Sequence, residues 1–345
     1  MLFPELSESR GQRVSWPNIS RPGARCVLQD HPGRRFLWLS ILLMTLALPT
    51  FLVAGDADDA ADWFARMRQA VHDTDYEGQF VYQVGEQLNG MYVVHRVREG
   101  HELERLVALD GEPKQVIRGQ QAVACLEPRS RHISVVGNRA DIQDRNAPDF
   151  KHLRKFYEFV LLGSVRAVGR RARRLEIRPR DHLRFGYRID IDEVTVLPLR
   201  SAMLEHDGRV RSQTLFVNLK TGRHITPIER DISALELTRR PPRMEEATEA
   251  APPIDWQFRD LPAGFRLITQ GSMGEGVQRY VFTDGLASVS IYIEPNRDRE
   301  PVLDGFSRIG ATEAFGTVRD GYQLVAVGKV PRDTLRRIVR TAEPR

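Results

Sequence analysis

The sequence has few of the residues that form disulfides or bind metals. Its 345 residues include only two cysteines, Cys26 and Cys125, and Cys26 lies upstream of the longest apolar run. If an N-terminal leader that contains Cys26 is removed, Cys125 is the one cysteine that remains and no internal disulfide can form. No second cysteine or cluster of histidines accompanies it, and His95 and His101 are too isolated for a zinc site. The spacing therefore predicts neither a disulfide scaffold nor a metal centre.

Catalytic and phosphate-binding motifs are also lacking. No serine lies in a nucleophile elbow, and there is no Walker loop. Gly271, Gly274 and Gly276 are spaced like part of a phosphate cradle, but they do not join a predicted strand to a phosphate-facing helix. We interpret them as turn residues. The sequence therefore predicts that the protein is not an enzyme and has no cofactor.

No apolar run is long enough to span a bilayer. The longest, Phe36 to Leu48, has thirteen residues, against the roughly 20 that a transmembrane helix needs. Arg34 and Arg35 precede it, and Pro49 and several small residues follow, as is typical of a secretory signal peptide. We predict that residues 1–55 are a leader and signal peptide that is removed on export. An uncleaved membrane anchor is the alternative.

The excess of positive charge comes partly from this leader. The whole chain has a formal net charge of +5, and residues 1–55 hold six arginines against three acidic residues. The remainder is therefore close to neutral, which does not favour nucleic acid as a partner.

The chain is instead rich in short strands between Tyr76 and Pro128. Runs of β-branched and aromatic residues alternate there with Gly, Asp and Pro at strand-length spacing. Asp110-Gly111 is a hairpin turn, because both residues tolerate positive φ. Before the strands, apolar residues from Ala60 to Val71 recur at three- and four-residue intervals, which indicates an amphipathic helix. We predict an antiparallel sheet with this helix packed against it.

An apolar interior is the place where we expect a ligand in such a sheet. A curved sheet or open barrel can be fully packed, or it can leave room for acyl chains. A fully packed interior is the default expectation, and the aromatic residues of the strands and of the cluster that follows residue 150 support an apolar cavity as the alternative. The candidate lipid-pocket residues are Phe80, Tyr82, Tyr92, Phe156, Tyr157 and Phe159.

Two further regions complete the chain. Eight arginines between Arg166 and Arg184 form a basic strip, which is either an anion site or a solvated face of the sheet. After residue 237 the chain becomes rich in Pro, Glu and Ala, as is typical of a linker. A second module opens at Trp256 and closes with a helix that Pro331 to Thr334 cap. We predict that this module is a small α+β unit.

The order of several short motifs resembles that of the RseB/MucB family of periplasmic sigma-E regulators. Each motif is weak alone, but together they cover both modules in the family's order. They are Tyr76-x-Gly-x-Phe-Val-Tyr82, Leu109-Asp-Gly-x-Pro-x-x-Val-Ile-Arg118, Asp192-x-x-Thr-x-Leu-Pro-Leu-Arg200, Leu261-Pro-Ala-Gly-Phe265 and Phe282-x-Asp-Gly-Leu-Ala-Ser-Val-Ser290.

The resemblance implies an α+β fold. A large N-terminal half-open antiparallel β-barrel with helices, similar to LolA and LolB, would precede a smaller C-terminal α+β domain. We place the N-terminal domain at 56–237, the linker at 238–255 and the C-terminal domain at 256–345.

The resemblance also implies a role in the periplasm. Such a protein binds the periplasmic segment of a transmembrane anti-sigma factor (RseA/MucA type) and shields it from a site-1 protease such as DegS. Lipid or lipopolysaccharide would favour release. A lipid or lipoprotein carrier is the alternative, although carriers of that kind lack the second module. A homo-oligomer is left open. From position and residue type, the candidate partner-binding residues are Arg170, Arg171, Arg173, Arg174, Tyr280, Phe282 and Tyr292.

Overall fold

The computed structural model describes residues 55–112, 114–119, 123–127, 132–135, 150–222, 224–228, 255–272, 276–296 and 303–345. The predicted leader as far as residue 54 and the predicted linker from 238 to 254 lie outside these ranges. In the part that is described, no helix combines the length and the apolarity needed to cross a bilayer.

Within the described residues, the N-terminal domain contains eleven strands and two helices. They are α1 (Gly55–Asp73), β1 (Tyr76–Val84), β2 (Gln87–Arg98), β3 (His101–Ala108), β4 (Gln115–Arg118), β5 (Val123–Glu127), β6 (His132–Val135), α2 (Phe150–Leu153), β7 (Tyr157–Ala167), β8 (Arg170–Pro179), β9 (Gly186–Asp192), β10 (Pro198–Leu204) and β11 (Val210–Thr221). The predicted helix and strands around residues 60–135 are therefore present, and the predicted turn contains Gly111 at φ +68°.

All eleven strands form one antiparallel sheet. Its order is β6-β5-β4-β3-β2-β1-β11-β10-β9-β8-β7, so two meanders meet where β1 pairs with β11. Among the described residues, the edge strands β6 and β7 each pair with one neighbour only. The sheet is therefore open, as expected of a half-open barrel.

Helix α1 covers one end of one sheet face. Because successive side chains of a strand point to opposite faces, the register defines a face that we call the inner face, bearing Phe80, Val93, Phe159 and Leu175. The helix packs on this face through Phe64, whose ring lies 5.3 Å from that of Phe159. The apolar stripe read from the sequence is thus the buried side of α1.

Within 255–272, 276–296 and 303–345, the C-terminal domain consists of a six-stranded sheet, a separate pair of strands and one helix packed against the sheet. Its elements are β12 (Trp256–Phe258), β13 (Arg266–Ser272), β14 (Gln278–Thr283), β15 (Ser288–Pro295), β16 (Gly305–Ile309), β17 (Thr312–Arg319), β18 (Tyr322–Gly328), α3 (Arg332–Arg340) and β19 (Ala342–Pro344). The sheet order is β13-β14-β15-β18-β17-β16, and β12 pairs with β19 beside it. The predicted fold class, an open N-terminal sheet followed by a smaller α+β domain, is confirmed.

The start of α3 differs from the prediction. Leu335, Ile338 and Val339 are buried on one face, as their spacing indicates. However, Pro331 occupies the cap position, and no side chain there bonds to the helix. The Thr334 hydroxyl donates instead to the Leu183 carbonyl oxygen in the N-terminal domain, at 2.6 Å. A residue predicted to cap the helix therefore links the two domains.

Candidate functional site

The inner face of the large sheet carries apolar residues on its middle strands. Phe80 lies opposite Met91 on β2 and Phe216 on β11, and its ring is 5.5 Å from that of Phe216. Val93 and Leu106 continue the same face across β2 and β3, and both are buried. The neighbouring strands thus present a continuous apolar row.

The structure brings four of the predicted pocket residues to the inner face by register. Phe80, Tyr157 and Phe159 are buried on it, and Tyr82 is half-buried at the far end of β1. Phe159 contacts Phe64 of α1 and Phe150 of α2, with its ring 4.7 Å from that of Phe150. These side chains belong to one surface, although α1 and α2 already cover the end that Phe159 occupies.

Tyr92 lies on the opposite face. It is paired with Gln79, the neighbour of Phe80 in β1, so its side chain points away from the inner face. Its hydroxyl donates to the Glu77 carboxylate at 3.2 Å and lies 3.2 Å from the Thr226 hydroxyl. The pairing register of β1 and β2 decides the face on which Tyr92 lies. A shift of one residue in this pairing would move every side chain of the strand to the other face.

Phe156 and Tyr157 lie where the two domains meet. The Phe156 ring is 4.8 Å from the Arg184 guanidinium, and the Tyr157 hydroxyl donates to the Asp284 carboxylate of the C-terminal domain at 2.8 Å. Burial, together with the Asp284 charge, raises the pKa of the Tyr157 hydroxyl well above its usual value. The hydroxyl therefore stays protonated and keeps its role as donor.

Arg184 lies at the centre of these contacts. We use the name domain junction for the contacts that Tyr157, Leu183 and Arg184 make with the C-terminal domain. The Arg184 side chain is 0% exposed, and its Nε donates to Asp284, also 0% exposed, at 2.6 Å. The other guanidinium nitrogens donate to the carboxylate of Asp181 and the carbonyl oxygen of Ala263. A buried charge is tolerated only when it is paired and hydrogen-bonded, and here both conditions hold.

Gly264 allows the chain to approach this junction closely. It has φ +89°, and a Cβ at this position would lie 2.5 Å from the Phe156 ring. The sequence motif Leu261-Pro-Ala-Gly-Phe265 thus corresponds to a turn that presents the Ala263 carbonyl to Arg184.

A second polar contact crosses between the domains near Ala311. Arg211 of β11 donates to the Glu313 carboxylate of β17, and its Nε donates to the Ala311 carbonyl at 3.2 Å. Arg332 of α3 also donates to Glu313, at 2.9 Å. Burial alone would raise the pKa of Glu313, but the hydrogen bonds from the two arginines outweigh it and the pKa lies below its usual value.

This shift predicts a loss of stability in acid. Since the folded-state pKa of Glu313 is lower than 4.5, its contribution is fully present above pH 4.5 and disappears as the pH falls through the lowered pKa. We expect the free energy of unfolding to decrease between neutral pH and about pH 3. Urea unfolding of Glu313→Gln should show a weaker decrease over this range, and equal slopes in the two proteins would contradict the assignment.

The predicted basic strip is largely paired with acidic residues. Arg174 makes two hydrogen bonds to Asp190, at 2.6 and 2.9 Å, and Arg170 donates to Asp192 at 2.9 Å. Arg171 and Arg173 each lie 3.3 Å from the Glu193 carboxylate. The acidic partners are on β9 and the turn after it, which lie beside β8 in the sheet. Because successive residues of a strand point to opposite faces, Arg170 and Arg174 lie on one face of the sheet and Arg171 and Arg173 on the other, and the partners Asp190 and Asp192 are buried.

The remaining candidate partner-binding residues lie in the C-terminal sheet. Tyr280 and Phe282 are buried in the core between the sheet and α3, and Tyr292 is half-buried on β15. Arg184 and Asp284 were not selected from the sequence. The available signals were weak, because Arg184 is the last of eight arginines and Asp284 reads as part of an Asp-Gly turn.

No group of three or more potential metal ligands is present among the described residues. The fold and the contacts above define a two-domain antiparallel β protein whose domains share a buried polar junction.

Comparison with known proteins identifies the particular family. Residues 59–239 match the MucB/RseB N-terminal domain, and residues 250–343 match the MucB/RseB C-terminal domain. The chain belongs to the MucB/RseB family.

Named relatives and a solved structure agree with this assignment. The sigma factor AlgU regulatory protein MucB of Pseudomonas aeruginosa is 30% identical over 317 residues, which cover 88% of this chain and 96% of the relative. The sigma-E factor regulatory protein RseB of Haemophilus influenzae is 28% identical, with 88% and 95% covered. A crystal structure of MucB in complex with MucA(peri) superposes with a TM-score of 0.61 at 28% identity, covering 83% of this chain and 99% of that one.

Proposed function

We propose that this protein is a periplasmic negative regulator of the sigma-E envelope stress response. It binds the periplasmic part of a transmembrane anti-sigma factor of the RseA/MucA type. The observation that carries the proposal is the match over both domains to regulatory proteins, including a MucB structure in complex with MucA(peri). The signal peptide predicted at 1–55 supports the periplasmic location.

Binding of this kind protects the anti-sigma segment from site-1 proteolysis. A protease needs its substrate in an extended and accessible form, and a segment held on a partner's surface is neither. Arg171, the exposed one of the four candidate arginines, and the half-buried Tyr292 are proposed contact residues on the two domains. The domain boundaries proposed for this function are 56–237 and 256–345.

Release is proposed to follow the binding of lipid or lipopolysaccharide at the inner face. Acyl chains would contact Phe80 and the apolar row beside it. A ligand that prefers the partner-free form weakens partner binding by the same factor by which the partner weakens ligand binding. No lipid-specific polar group is required for this step, because burial of apolar area supplies the affinity.

The test is a binding titration with the cognate anti-sigma periplasmic segment in detergent-free buffer. We expect 56–345 to bind it and to slow its cleavage by the site-1 protease, and we expect lipopolysaccharide to weaken binding. A mixture in which neither binding nor protection occurs would overturn the proposal. Transfer of lipid between vesicles by the protein alone, without partner binding, would identify a carrier instead.

A further inference from the structure

Tyr157 belongs to two parts of the molecule at once. Its ring is fully buried in the cluster that joins α1, α2 and the inner face, together with Phe64 and Phe159. Its hydroxyl reaches the other way and donates to Asp284 in the turn between β14 and β15. One side chain therefore packs on the large sheet through its ring and contacts the C-terminal domain through its hydroxyl.

Asp284 also has two tasks. One carboxylate oxygen, Oδ1, accepts hydrogen bonds from the backbone N–H groups of Leu286 and Ala287, at 2.9 and 2.8 Å, and so fixes its own turn. The other oxygen, Oδ2, accepts from Tyr157 and from Arg184. A turn whose shape depends on this carboxylate is thereby held to the N-terminal domain.

Apolar contacts accompany these hydrogen bonds. Leu286 of the same turn packs against the cluster that contains Tyr157, and Ala311 of the C-terminal domain packs with Phe185 and Met203 of the N-terminal domain. The hydrogen bond from Thr334 to Leu183 adds the first turn of α3. The junction is thus a packed interface, and its polar atoms have directional partners.

We propose that Tyr157, Arg184 and Asp284 form a positioning cluster, which fixes the orientation of the two domains and transmits repacking of the inner face to the C-terminal domain. Displacement of the Tyr157 ring removes one of the two donors to Asp284 Oδ2. The remaining partner, Arg184, is held from several sides and cannot follow. The orientation of the C-terminal domain then becomes less restricted. The effect on partner affinity rests on the proposed function, whereas the effect on orientation does not.

The orientation is measured first, without any partner or lipid. Spin labels at Val217→Cys on β11 and Val318→Cys on β17, both exposed, report the distance between the domains in a Cys125→Ser background of 56–345. We expect a narrow distance distribution that Tyr157→Phe broadens. Tyr76→Phe is the matched control, because Tyr76 is equally buried on the inner face but stacks on His95. An unchanged distribution in Tyr157→Phe would overturn the proposal.

Transmission is measured with a variant that alters the apolar cluster around Tyr157 and none of the hydrogen bonds of the junction. Phe159→Leu changes the packing around the Tyr157 ring and leaves every junction hydrogen bond donor and acceptor in place. We expect it to broaden the same distribution, by less than Tyr157→Phe. A distribution identical to wild type, in a variant whose thermal unfolding midpoint is lowered, would show that repacking is not transmitted.

Partner affinity separates this inference from the proposed function. If the wild-type protein binds the anti-sigma segment, Tyr157→Phe should weaken binding several-fold while Tyr76→Phe does not. Failure of the wild type to bind would overturn the proposed function and leave the distance result to decide the positioning role. Wild-type affinity in Tyr157→Phe despite a broadened distribution would overturn the link to the partner.

Discussion

Replacing Arg184 by methionine is expected to lower the free energy of unfolding by about 3–5 kcal/mol. The change leaves the fully buried Asp284 carboxylate without its cationic partner, and it removes the donor to the Ala263 carbonyl. It also removes the contact between a cation and aromatic rings, because the Arg184 guanidinium lies 5.2 Å from the Phe265 ring centroid. The loss of an ion pair inside the protein is severe chiefly because one charge stays behind.

A double variant, Arg184→Met with Asp284→Asn, separates the loss of the ion pair from the cost of leaving the Asp284 charge unpaired. Asp284→Asn removes the charge but keeps an oxygen that can accept from the turn backbone. We expect Arg184→Met with Asp284→Asn to be more stable than Arg184→Met alone. Arg178→Met is the matched control, because Arg178 is half exposed and its partner Glu176 keeps a second arginine, Arg188, when Arg178 is removed. Surface pairs contribute roughly 0–1 kcal/mol. Chemical denaturation of all four proteins supplies the comparison, and equal losses in Arg184→Met and Arg178→Met would contradict the expectation.

Phe80→Asp is expected to have an effect of similar or larger size. Phe80 is only 4% exposed, and removing a buried aromatic ring alone costs about 3–5 kcal/mol. The new carboxylate adds the cost of placing an unpaired charge on an apolar surface. Tyr82→Asp should cost less, since Tyr82 is half-buried at the end of β1.

Leu88→Asp is the control for this substitution. Leu88 is 62% exposed on β2, so a carboxylate there stays in water and the stability should remain close to wild type. Melting temperature and binding of lipopolysaccharide are measured for all variants. Lipid binding should be lost in Phe80→Asp and kept in Leu88→Asp. Wild-type melting and lipid uptake in Phe80→Asp would show that Phe80 faces solvent.

Local patterns predicted the elements of this fold better than the contacts of its side chains. The strands from Tyr76 to Glu127 alternate in hydrophobicity and are separated by turn residues, so their existence follows from the chain itself. Strands β16 and β17 are hard to recognise from the sequence, because Gly305–Ile309 and Thr312–Arg319 mix glycine and charged residues with only a few apolar ones. β17 pairs with β18 and β16 pairs with β17, and these pairings are not visible in the local sequence.

The candidate site shows the same division. Aromatic content correctly indicated an apolar face that includes Phe80, but only strand register shows that Tyr92 points the other way. The arginine strip was visible, whereas its pairing with Asp190 and Asp192 depends on how β8 and β9 align. The junction between Arg184 and Asp284 joins residues 100 positions apart, and neither residue type is unusual in its local context.

The pairing of β1 with β11 also has a consequence for biogenesis. Gln79 of β1 pairs with Asn218 of β11, which lies 139 positions later in the chain, and its backbone N–H donates to the Asn218 side-chain oxygen. The middle of the large sheet therefore cannot assemble until nearly the whole domain has been synthesised. Contacts between such distant segments slow folding. A nascent chain built in this way remains without its central pairing for longer, which fits the export proposed above for this chain.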